Sequence, residues 1–265
     1  MADAAALLRA GCIGLAGIAA LALLAWLASL WRRDASLADR FWPGFFVVAA
    51  ALYAAHAPDL GERGYAVLGL VLAWGFRLGA FITQRNWGKG EDRRYAQMRA
   101  RHSAAFPWRS LYLVFGLQAA LAWIASAPLL GAIAANSALG PLDAMGAILA
   151  LFGIVFEAFA DAQLARFQRN PANRGLVMDR GLWAWSRHPN YFGEACVWWG
   201  FGLIACGAGA FWSLVGPIVM TLLLLRVSGV ALLEKDIVER RPGYREYMAR
   251  TNAFWPGPRR HKRPA

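Results

Sequence analysis

The stretch SRHPNYFGEACVWWGFGLIACGAGAFWSLVGPIVMTLLLL, Ser186–Leu225, joins two segments of opposite character. Its first nine residues, Ser186–Glu194, are mainly polar, aromatic or conformationally special, and the strongly apolar run Ala195–Leu225 follows at once. An apolar run of this kind predicts membrane helices. Polar side chains held at the start of a membrane helix cost free energy unless they bind something, so Ser186–Glu194 is predicted to belong to a functional site.

The composition extends this prediction to the whole chain. Of the 265 residues, 58% are hydrophobic and 17% are charged, more apolar surface than a soluble domain of this size needs. About 20 consecutive apolar residues cross a bilayer as a helix. We therefore predict an all-α integral membrane protein with seven transmembrane helices. The predicted spans are Ala5–Leu30, Phe41–Ala57, Tyr65–Thr83, Leu111–Ala135, Leu142–Leu164, Tyr191–Cys206 and Phe211–Leu233.

The net charge of +12 is concentrated on one side of these spans. The connections after spans one, three and five, together with the C-terminal segment, hold 24 of the 28 Lys and Arg residues. Because cytoplasmic loops are enriched in Lys and Arg, the N-terminus is predicted to lie outside and the C-terminus in the cytoplasm. Topology accounts for the basicity without nucleic acid, and a polyanionic small ligand on the cytoplasmic side remains open.

Two carboxylates lie inside the fifth predicted span. Glu157 and Asp161 are four residues apart and project from one helical face. Carboxylates in lipid are costly, so this face should point to the protein interior or to an aqueous cavity. Arg166 and Arg169 follow at the cytoplasmic end, an arrangement that suits a ligand with a polar head and phosphates. The alternative is a structural ion pair with one of the two arginines inside spans, which are Arg77 and Arg226.

The segment Ser186–Glu194 offers several ligand-binding groups. Arg187 and His188 can contact phosphate or carboxylate. Asn190 supplies an amide, Tyr191 a hydroxyl and Glu194 a buried acceptor. A helix that begins here would add backbone donors for an anion.

Two cytoplasmic segments combine aromatic side chains with charge. The connection Arg85–Tyr95 contains Trp87 and Tyr95, which a plain solvated loop would not need. Their alternative interpretation is an interfacial aromatic belt. In the last segment, Tyr244, Tyr247 and Arg250 recur at helical spacing and are predicted to share one face of a helix.

The nucleotide-binding and hydrolase motifs of soluble enzymes are absent from the sequence. There is no G-x-G-x-x-G after a strand, no P-loop and no G-x-S-x-G. The histidines and cysteines lack zinc-ligand spacing, so no metal site is expected. No internal repeat is present, which disfavours a transporter built from inverted halves. If a nucleotide binds, it is expected to bind in a helical membrane cavity.

The run Arg180–Glu194 resembles the steroid 5-alpha-reductase superfamily, in particular its bacterial branch known as a domain of unknown function and similar to 3-oxo-5-alpha-steroid 4-dehydrogenases. Asp39 with Trp42, the block from Arg77 to Tyr95 and the segment Tyr244–Pro256 fit the same branch. The resemblance implies one membrane-embedded domain. Residues 1–38 would be an extra helix and loop, residues 39–256 the family-like core, and residues 257–265 a basic tail. It also implies the bacterial inner membrane, with the active site open to the cytoplasm.

The resemblance implies an NADPH-dependent oxidoreductase. Hydride would reach the β-carbon of a carbon–carbon double bond conjugated to a ketone, in a steroid-like or other lipid substrate that enters from the membrane. The residues that would hold NADPH are Asn86, Asp161, Arg166, Arg169, Arg187, His188, Asn190, Tyr191, Glu194, Arg241, Tyr244 and Tyr247.

The substrate end departs from the steroid reductases, which bind the ketone with a Gln-Glu pair in the second helix and a Tyr in the third. Here Asp39 lies near the start of span two, and Trp74 lies about where the Tyr would be. Asp39 is the predicted proton donor, because a carboxyl group in an apolar cavity can stay protonated and donate. Trp74 is the second predicted catalytic residue.

Two alternatives remain open. Isoprenylcysteine-type methyltransferases resemble the chain over the same C-terminal stretch, so a membrane lipid methyltransferase that uses S-adenosylmethionine is one of them. S-adenosylmethionine has no phosphate, so Arg166 and Arg169 would have no phosphate group to bind. The other alternative is a non-catalytic lipid-binding membrane protein, in which Asn190 and Glu194 would affect stability alone.

Overall fold

The computed structural model describes residues 4–227, 234, 237–238 and 240–259. The described part of the chain is helical and contains no β-strand, apart from one isolated bridge between Ser186 and Asn252. Its α-helices are α1 (Ala4–Arg32), α2 (Leu37–Ala55), α3 (Glu62–Asn86), α4 (Arg93–His102), α5 (Phe106–Ser110), α6 (Leu117–Ala125), α7 (Ala127–Ile133), α8 (Pro141–Arg169), α9 (Pro189–Gly207), α10 (Val215–Leu222) and α11 (Tyr244–Arg250). The all-α prediction is confirmed for these residues.

Four helical stretches are long and apolar enough to cross a membrane. They are Ala4–Arg32, Glu62–Asn86, Arg93–Ala125 and Pro141–Arg169, and Phe211–Arg226 is a shorter apolar helix. Their length and composition are those of a membrane protein. The seven-span arrangement and its orientation stay predictions. The end of the seventh predicted span, residues 228–233, and most of the predicted basic tail, residues 260–265, lie outside the described residues.

Two compact units divide the chain, one from Met1–Ala147 and Phe201–Gly216, the other from Ile148–Gly200 and Pro217–Ala265, in their described parts. In the first unit, α2 packs between α1 and α3. The interior of this packing is aromatic: Phe45, Phe46 and Trp74 are fully buried, and the rings of Phe46 and Trp74 meet edge to face at 5.5 Å between centroids. Such pairs add to the stabilisation that comes from burial.

The fourth predicted span, Leu111–Ala135, is interrupted in the structure. It begins with a π-helical turn, Leu111–Gly116, and α6 then ends at Ala125. Ser126 separates α6 from α7, and Pro128 occupies the first turn of α7. The Ser126 hydroxyl lies 2.9 Å from Tyr53 Oη, a buried contact that links this break to α2. π-helical turns widen a helix locally and occur often at functional sites.

A buried ion pair joins the beginnings of α3 and α8 within the first unit. Arg63 donates to Asp143 through Nε at 2.6 Å and Nη2 at 3.0 Å. Its remaining donors reach Ser137 and the carbonyl of Ala138, and Asp143 also accepts from the Gly140 amide. Because these polar groups are paired, the desolvation cost of burying both charges is offset.

In the second unit, α8 and α9 approach each other through glycines. A Cβ placed on Gly153 would lie 2.5 Å from the carbonyl oxygen of Gly193, and one on Gly193 would lie 2.8 Å from the Glu157 amide nitrogen. Both distances are too short for any side chain, so only glycine permits this backbone contact. Small residues at helix contacts are the usual means of close packing in membranes.

Two short helices lie in segments where the sequence predicts cytoplasmic loops. The Tyr244–Arg250 segment forms α11, and Tyr244 and Tyr247 are buried on it, which confirms the predicted helical spacing. The connection Arg85–Arg109 contains α4, whose N-cap Asp92 accepts a hydrogen bond from the Arg94 amide. An N-cap of this kind fixes the first residue of the helix.

Candidate functional site

The carboxylates of α8 are buried on one face of the helix, as predicted. Glu157 is 2% exposed and Asp161 3% exposed. The opposite face carries exposed apolar side chains, namely Ile148, Leu151, Phe152, Val155 and Phe159. A helix with apolar residues outside and acids inside is typical of a membrane protein with a polar interior, and intramembrane acids of this kind mark functional sites.

The structure brings Asp161 together with Asn190. The Asn190 side chain, in the first turn of α9, donates from Nδ2 to Asp161 Oδ1 at 3.3 Å. Glu194, one helical turn further along α9, is also buried. Pro189 begins α9, a position where its missing amide hydrogen costs nothing. The second unit therefore contains an amide and two carboxylates at the places predicted for polar groups of a cofactor.

A basic pocket of about 290 Å³ lies at the C-terminal end of α8. Its charged lining residues are Arg169, Arg174 and Arg241, and Asn170 and Asn173 add amide groups. Arg241 also donates to the carbonyl of Leu176. Arginine side chains with free planar donors are suited to phosphate. The pocket is lined by two residues that were predicted to hold the cofactor, Arg169 at its phosphates and Arg241 at its adenosine end, and by Arg174, which the sequence prediction omitted.

Arg187 and His188 converge on one acid, Glu234. Arg187 binds it through Nε at 2.6 Å and Nη2 at 3.0 Å, and His188 Nε2 lies 3.1 Å from Oε1. Burial raises the pKa of Glu234, but the hydrogen bonds from His188 and Arg187 and the Arg187 charge outweigh burial, so the pKa is lowered overall. The His188 ring stacks on Tyr191 at 5.3 Å.

Further contacts join Ser186–Glu194 to the C-terminal segment. Arg187 Nη1 donates to the carbonyls of Met248 and Thr251 at 3.0 and 2.7 Å. Ser186 Oγ donates to the carbonyl of Phe254 at 2.8 Å. In this structure Arg187 thus fastens the C-terminal segment, and its predicted contact with a cofactor stays a prediction.

Tyr244 and Tyr247 also belong to the contact between the C-terminal segment and the residues around Ser186. Tyr247 Oη donates to the carbonyls of Trp183 and Ser186 at 2.5 and 3.2 Å. Burial raises the pKa of both tyrosines, and for Tyr244 the charge of Glu234 raises it further. Both hydroxyls therefore keep their protons at neutral pH and act as donors.

Arg166 is exposed near the end of α8. It does not line the basic pocket, whose described lining begins at Phe167. Both arginines predicted to hold phosphates at this end of α8 are exposed, and Arg169 lines the pocket whereas Arg166 does not.

In the first unit, Asp39 belongs to a polar cluster. Tyr95 Oη donates to Asp39 Oδ1 at 2.6 Å, and Arg94 Nη2 donates to Asp39 Oδ2 at 2.8 Å. Gln118 Nε2 approaches Asp39 Oδ1 at 3.5 Å and Tyr95 Oη at 3.4 Å. Asp39 is thus the acceptor of each of these hydrogen bonds, and Tyr95 and Arg94 are donors.

A second acid holds the helix that carries Tyr95. Glu91 accepts two hydrogen bonds of 2.8 Å from Arg99 and another from the Ala35 amide. Burial raises the pKa of Glu91, but the hydrogen bonds from Arg99 and Ala35 outweigh it and lower the pKa overall. Glu91 thus ties α4 to the residues just before α2, the helix that carries Asp39.

The other predicted residues of the first unit, Trp74 and Asn86, make the following contacts. Trp74 is fully buried in α3, where it packs on Phe46. Asn86 ends α3, and its carbonyl accepts from Arg40 Nη2 at 3.2 Å. Asn86 Oδ1 accepts from Arg85 Nε at 3.3 Å. The catalytic role predicted for Trp74 and the cofactor contact predicted for Asn86 stay predictions.

Sequence reasoning missed four residues that the structure places in these clusters, namely Arg94, Gln118, Arg174 and Glu234, and it singled out Tyr95 without giving it a role. Two left a signal. Gln118 is the one amide side chain within the apolar run Leu111–Ala135, and Tyr95 is an aromatic residue in a charged loop. A lone polar residue in a membrane span is a functional-site candidate by default.

Comparison with known proteins relates most of the chain to an existing family. The family model described as "Protein of unknown function (DUF1295)" matches residues 25–251. The Uncharacterized protein C594.04c of Schizosaccharomyces pombe is 26% identical to the chain over 260 residues, which covers 87% of this chain and 75% of the relative. No solved structure matches the chain. The matched range contains every predicted site residue, from Asp39 to Tyr247.

Proposed function

Because this chain belongs to the DUF1295 family, which is related to steroid 5-alpha-reductase-like membrane proteins, we propose that it is a membrane oxidoreductase. The proposed reaction is the NADPH-dependent reduction of a carbon–carbon double bond conjugated to a ketone in a steroid-like or other lipid. The observation that carries the proposal is the basic pocket formed by Arg169, Arg174 and Arg241. It supports a phosphate-bearing cofactor, whereas S-adenosylmethionine has no phosphate for these arginines to bind.

The second unit carries the groups that suit the cofactor. The basic pocket fits phosphates, and the Asp161–Asn190 pair supplies a carboxylate and an amide for ribose and nicotinamide groups. When bound, NADPH supplies the hydride. In this proposal the contacts of Arg187 and Tyr247 hold the C-terminal segment in place.

The reduction also needs a hydrogen-bond donor to the ketone oxygen, and the Asp39 cluster offers a candidate. We assign the donor role to Tyr95. Its hydroxyl hydrogen, which Asp39 accepts at 2.6 Å in this structure, would turn to the ketone oxygen when the substrate binds. A donor directed at the ketone oxygen stabilises the negative charge that develops there as the double bond is reduced. Arg94 and Gln118 orient the Asp39–Tyr95 pair. Asp39, predicted from the sequence to be the donor, becomes a positioning residue in this assignment.

The proposal includes a topology and a location. The seven predicted spans, with the C-terminus in the cytoplasm, place the basic pocket where soluble NADPH is present. The concentration of Lys and Arg on one side of the spans supports this orientation. For a bacterial member of the family, the location would be the inner membrane.

Cofactor binding tests the proposal directly. Full-length protein purified in detergent is titrated with NADPH, NADH and S-adenosylmethionine, and bound cofactor is followed by fluorescence and by thermal shift. We expect NADPH to bind and S-adenosylmethionine to have no effect. The variants Arg169→Gln and Arg241→Gln should each weaken NADPH binding about tenfold, because each removes one charge-assisted contact. Arg101→Gln, an exposed change on α4, is the matched control.

Turnover provides the second measurement. With a steroid enone as the probe, NADPH consumption should accompany a product two hydrogens heavier than the substrate. Protein that binds S-adenosylmethionine but no NADPH would overturn the proposal in favour of a methyltransferase. Protein that binds neither cofactor would overturn it in favour of a lipid-binding protein.

A further inference from the structure

A groove of about 920 Å³ runs along the contact between α2 and α3 in the first unit. Its walls are small or apolar, and its volume lies within the range of about 300–1,000 Å³ that is common for small-molecule sites. The apolar lining residues are Pro43, Gly44, Val47, Gly75, Phe76, Gly79 and Ala80. Phe76 is 69% exposed beside it, and α3 is one of the helices able to cross a membrane. With α3 spanning a membrane, the open side of the groove would face lipid.

One end of the groove is polar and carries a cation. Arg40, Thr83, Gln84 and Trp87 line this end. Arg40 uses Nη2 for the carbonyl of Asn86 at 3.2 Å and for an ion pair with Asp34 at 3.5 Å. Arg40 Nε is buried and has no hydrogen-bond partner among the described residues. Protein acceptors therefore leave the Arg40 guanidinium incompletely bonded, and as a lining residue it offers its charge to an anionic ligand.

Asp34 does not fully neutralise the positive charge of Arg40 at this end of the groove. Its other carboxylate oxygen, Oδ1, accepts from the amide and hydroxyl of Ser36, and the ion pair with Arg40 is longer than a direct hydrogen bond. The groove also differs from the Asp39 cluster. Arg40 follows Asp39 by one residue, which is about 100° around the helix, so the two side chains leave α2 in different directions.

We propose that this groove binds an anionic phospholipid of the surrounding membrane, with one acyl chain along the glycine-lined wall and the headgroup phosphate beside Arg40. Three observations support this occupant: the apolar groove, its opening towards lipid and the charge complementarity at one end only. Basic pockets between membrane helices on the cytoplasmic side are a known mode of lipid headgroup recognition. The site does not depend on the proposed reductase activity.

Gly79 offers a substitution that fills the groove without disturbing the fold. A Cβ on Gly79 would meet no atom within 4 Å, and the same holds for Gly69 on the same helix. Gly79 lines the groove and Gly69 does not. Leucine at either position should favour the helix by a similar amount, up to about 1 kcal/mol. Gly79→Leu and Gly69→Leu are therefore a matched pair that differs in the groove alone.

The experiment measures lipid retention by native mass spectrometry of the full chain in detergent, titrated with phosphatidylglycerol or phosphatidylcholine. We expect wild-type protein and Gly69→Leu to retain phosphatidylglycerol in preference to phosphatidylcholine. Gly79→Leu should bind phosphatidylglycerol at least about tenfold more weakly. Equal binding by Gly79→Leu and Gly69→Leu would overturn the proposal.

A separate variant tests whether the headgroup phosphate lies beside Arg40. Arg40→Gln should reduce the preference for phosphatidylglycerol over phosphatidylcholine about tenfold, because one charge-assisted contact is lost, whereas Arg101→Gln should leave it unchanged. A preference that Arg40→Gln leaves intact would contradict the assignment. Displacement of the lipid by inorganic phosphate alone would also contradict the assignment, because it indicates a site for a free ion. Displacement by a steroid enone would contradict it as well, because it indicates that the groove binds the substrate.

Discussion

Arg187 and Glu234 form a two-pronged ion pair, with Nε–Oε1 and Nη2–Oε2 distances of 2.6 and 3.0 Å, and each side chain is only about a tenth exposed. His188 and two backbone carbonyls complete the hydrogen bonds of this pair. The pair joins the residues just before α9 to the C-terminal segment. Substitution of Glu234 measures what this pair contributes to stability, and cofactor binding by the same variant measures what it contributes to function.

Loss of the Glu234 charge should destabilise the protein. Glu234→Gln leaves the buried Arg187 guanidinium without its counter-charge, which typically costs about 3–5 kcal/mol. We expect a melting temperature in detergent that is lower by several degrees. Asp179→Asn is the control, because its ion pair with Arg250 is more exposed, at 25% and 41%, and such pairs contribute up to about 1 kcal/mol. Equal melting of the two variants would contradict a stabilising role for the buried pair.

Low pH should remove the stabilisation that the Arg187–Glu234 pair provides. The pKa of Glu234 is lowered in the folded state, so its stabilisation is fully present above the ordinary glutamate pKa of about 4.3 and is lost as pH falls through the folded value. The melting temperature of wild-type protein should therefore decline below about pH 4.3. The difference between wild-type and Glu234→Gln should shrink over the same range. A difference that stays constant down to the acid limit would contradict the lowered pKa.

The hydroxyl of Tyr95 should matter for turnover more than for cofactor binding. Tyr95→Phe removes the proposed donor and is expected to lower kcat about 100-fold or more, the usual contribution of a general acid. The affinity for NADPH should be unchanged. Tyr112→Phe, at a tyrosine that is 59% exposed, is the matched control. Full turnover by Tyr95→Phe with an enone would exclude Tyr95 as donor.

Replacement of the glycine at the contact of α8 and α9 should be costly. Gly153→Ala places a Cβ 2.5 Å from the Gly193 carbonyl oxygen, and backbone at that distance cannot move aside cheaply. Overpacking of this kind costs about 1–3 kcal/mol. Gly69→Ala adds the same methyl group to open space. Thermal unfolding of the two variants compares them, and equal stability would show that the helices separate easily.

The helical predictions succeeded where the signal is local. The face shared by Glu157 and Asp161 and the face shared by Tyr244 and Tyr247 follow from the period of the helix. The two acids are buried as expected, and the two tyrosines are buried as well. The break at Ser126 within the fourth predicted span was not expected, because the run remains apolar across it. Apolar composition does not distinguish one continuous helix from two.

The candidate sites were predicted in part. Asp161 and Asn190 were proposed to act together, and they form a hydrogen bond. Arg187 was predicted to contact a ligand, whereas the structure directs its donors to Glu234 and to carbonyls of the C-terminal segment. A side chain able to bind phosphate can equally bind a protein carboxylate, and the sequence does not distinguish the two.

The sequence by itself determined the class of the protein, a helical membrane protein with acids turned inward, because the length and period of apolar runs are properties of neighbouring residues. Only the tertiary structure decided the partners of the polar side chains. Tyr95 reaches Asp39 across 56 positions and Arg187 reaches Glu234 across 47. Such pairs depend on how the helices pack, because a buried donor bonds to whichever acceptor the packing brings within about 3 Å.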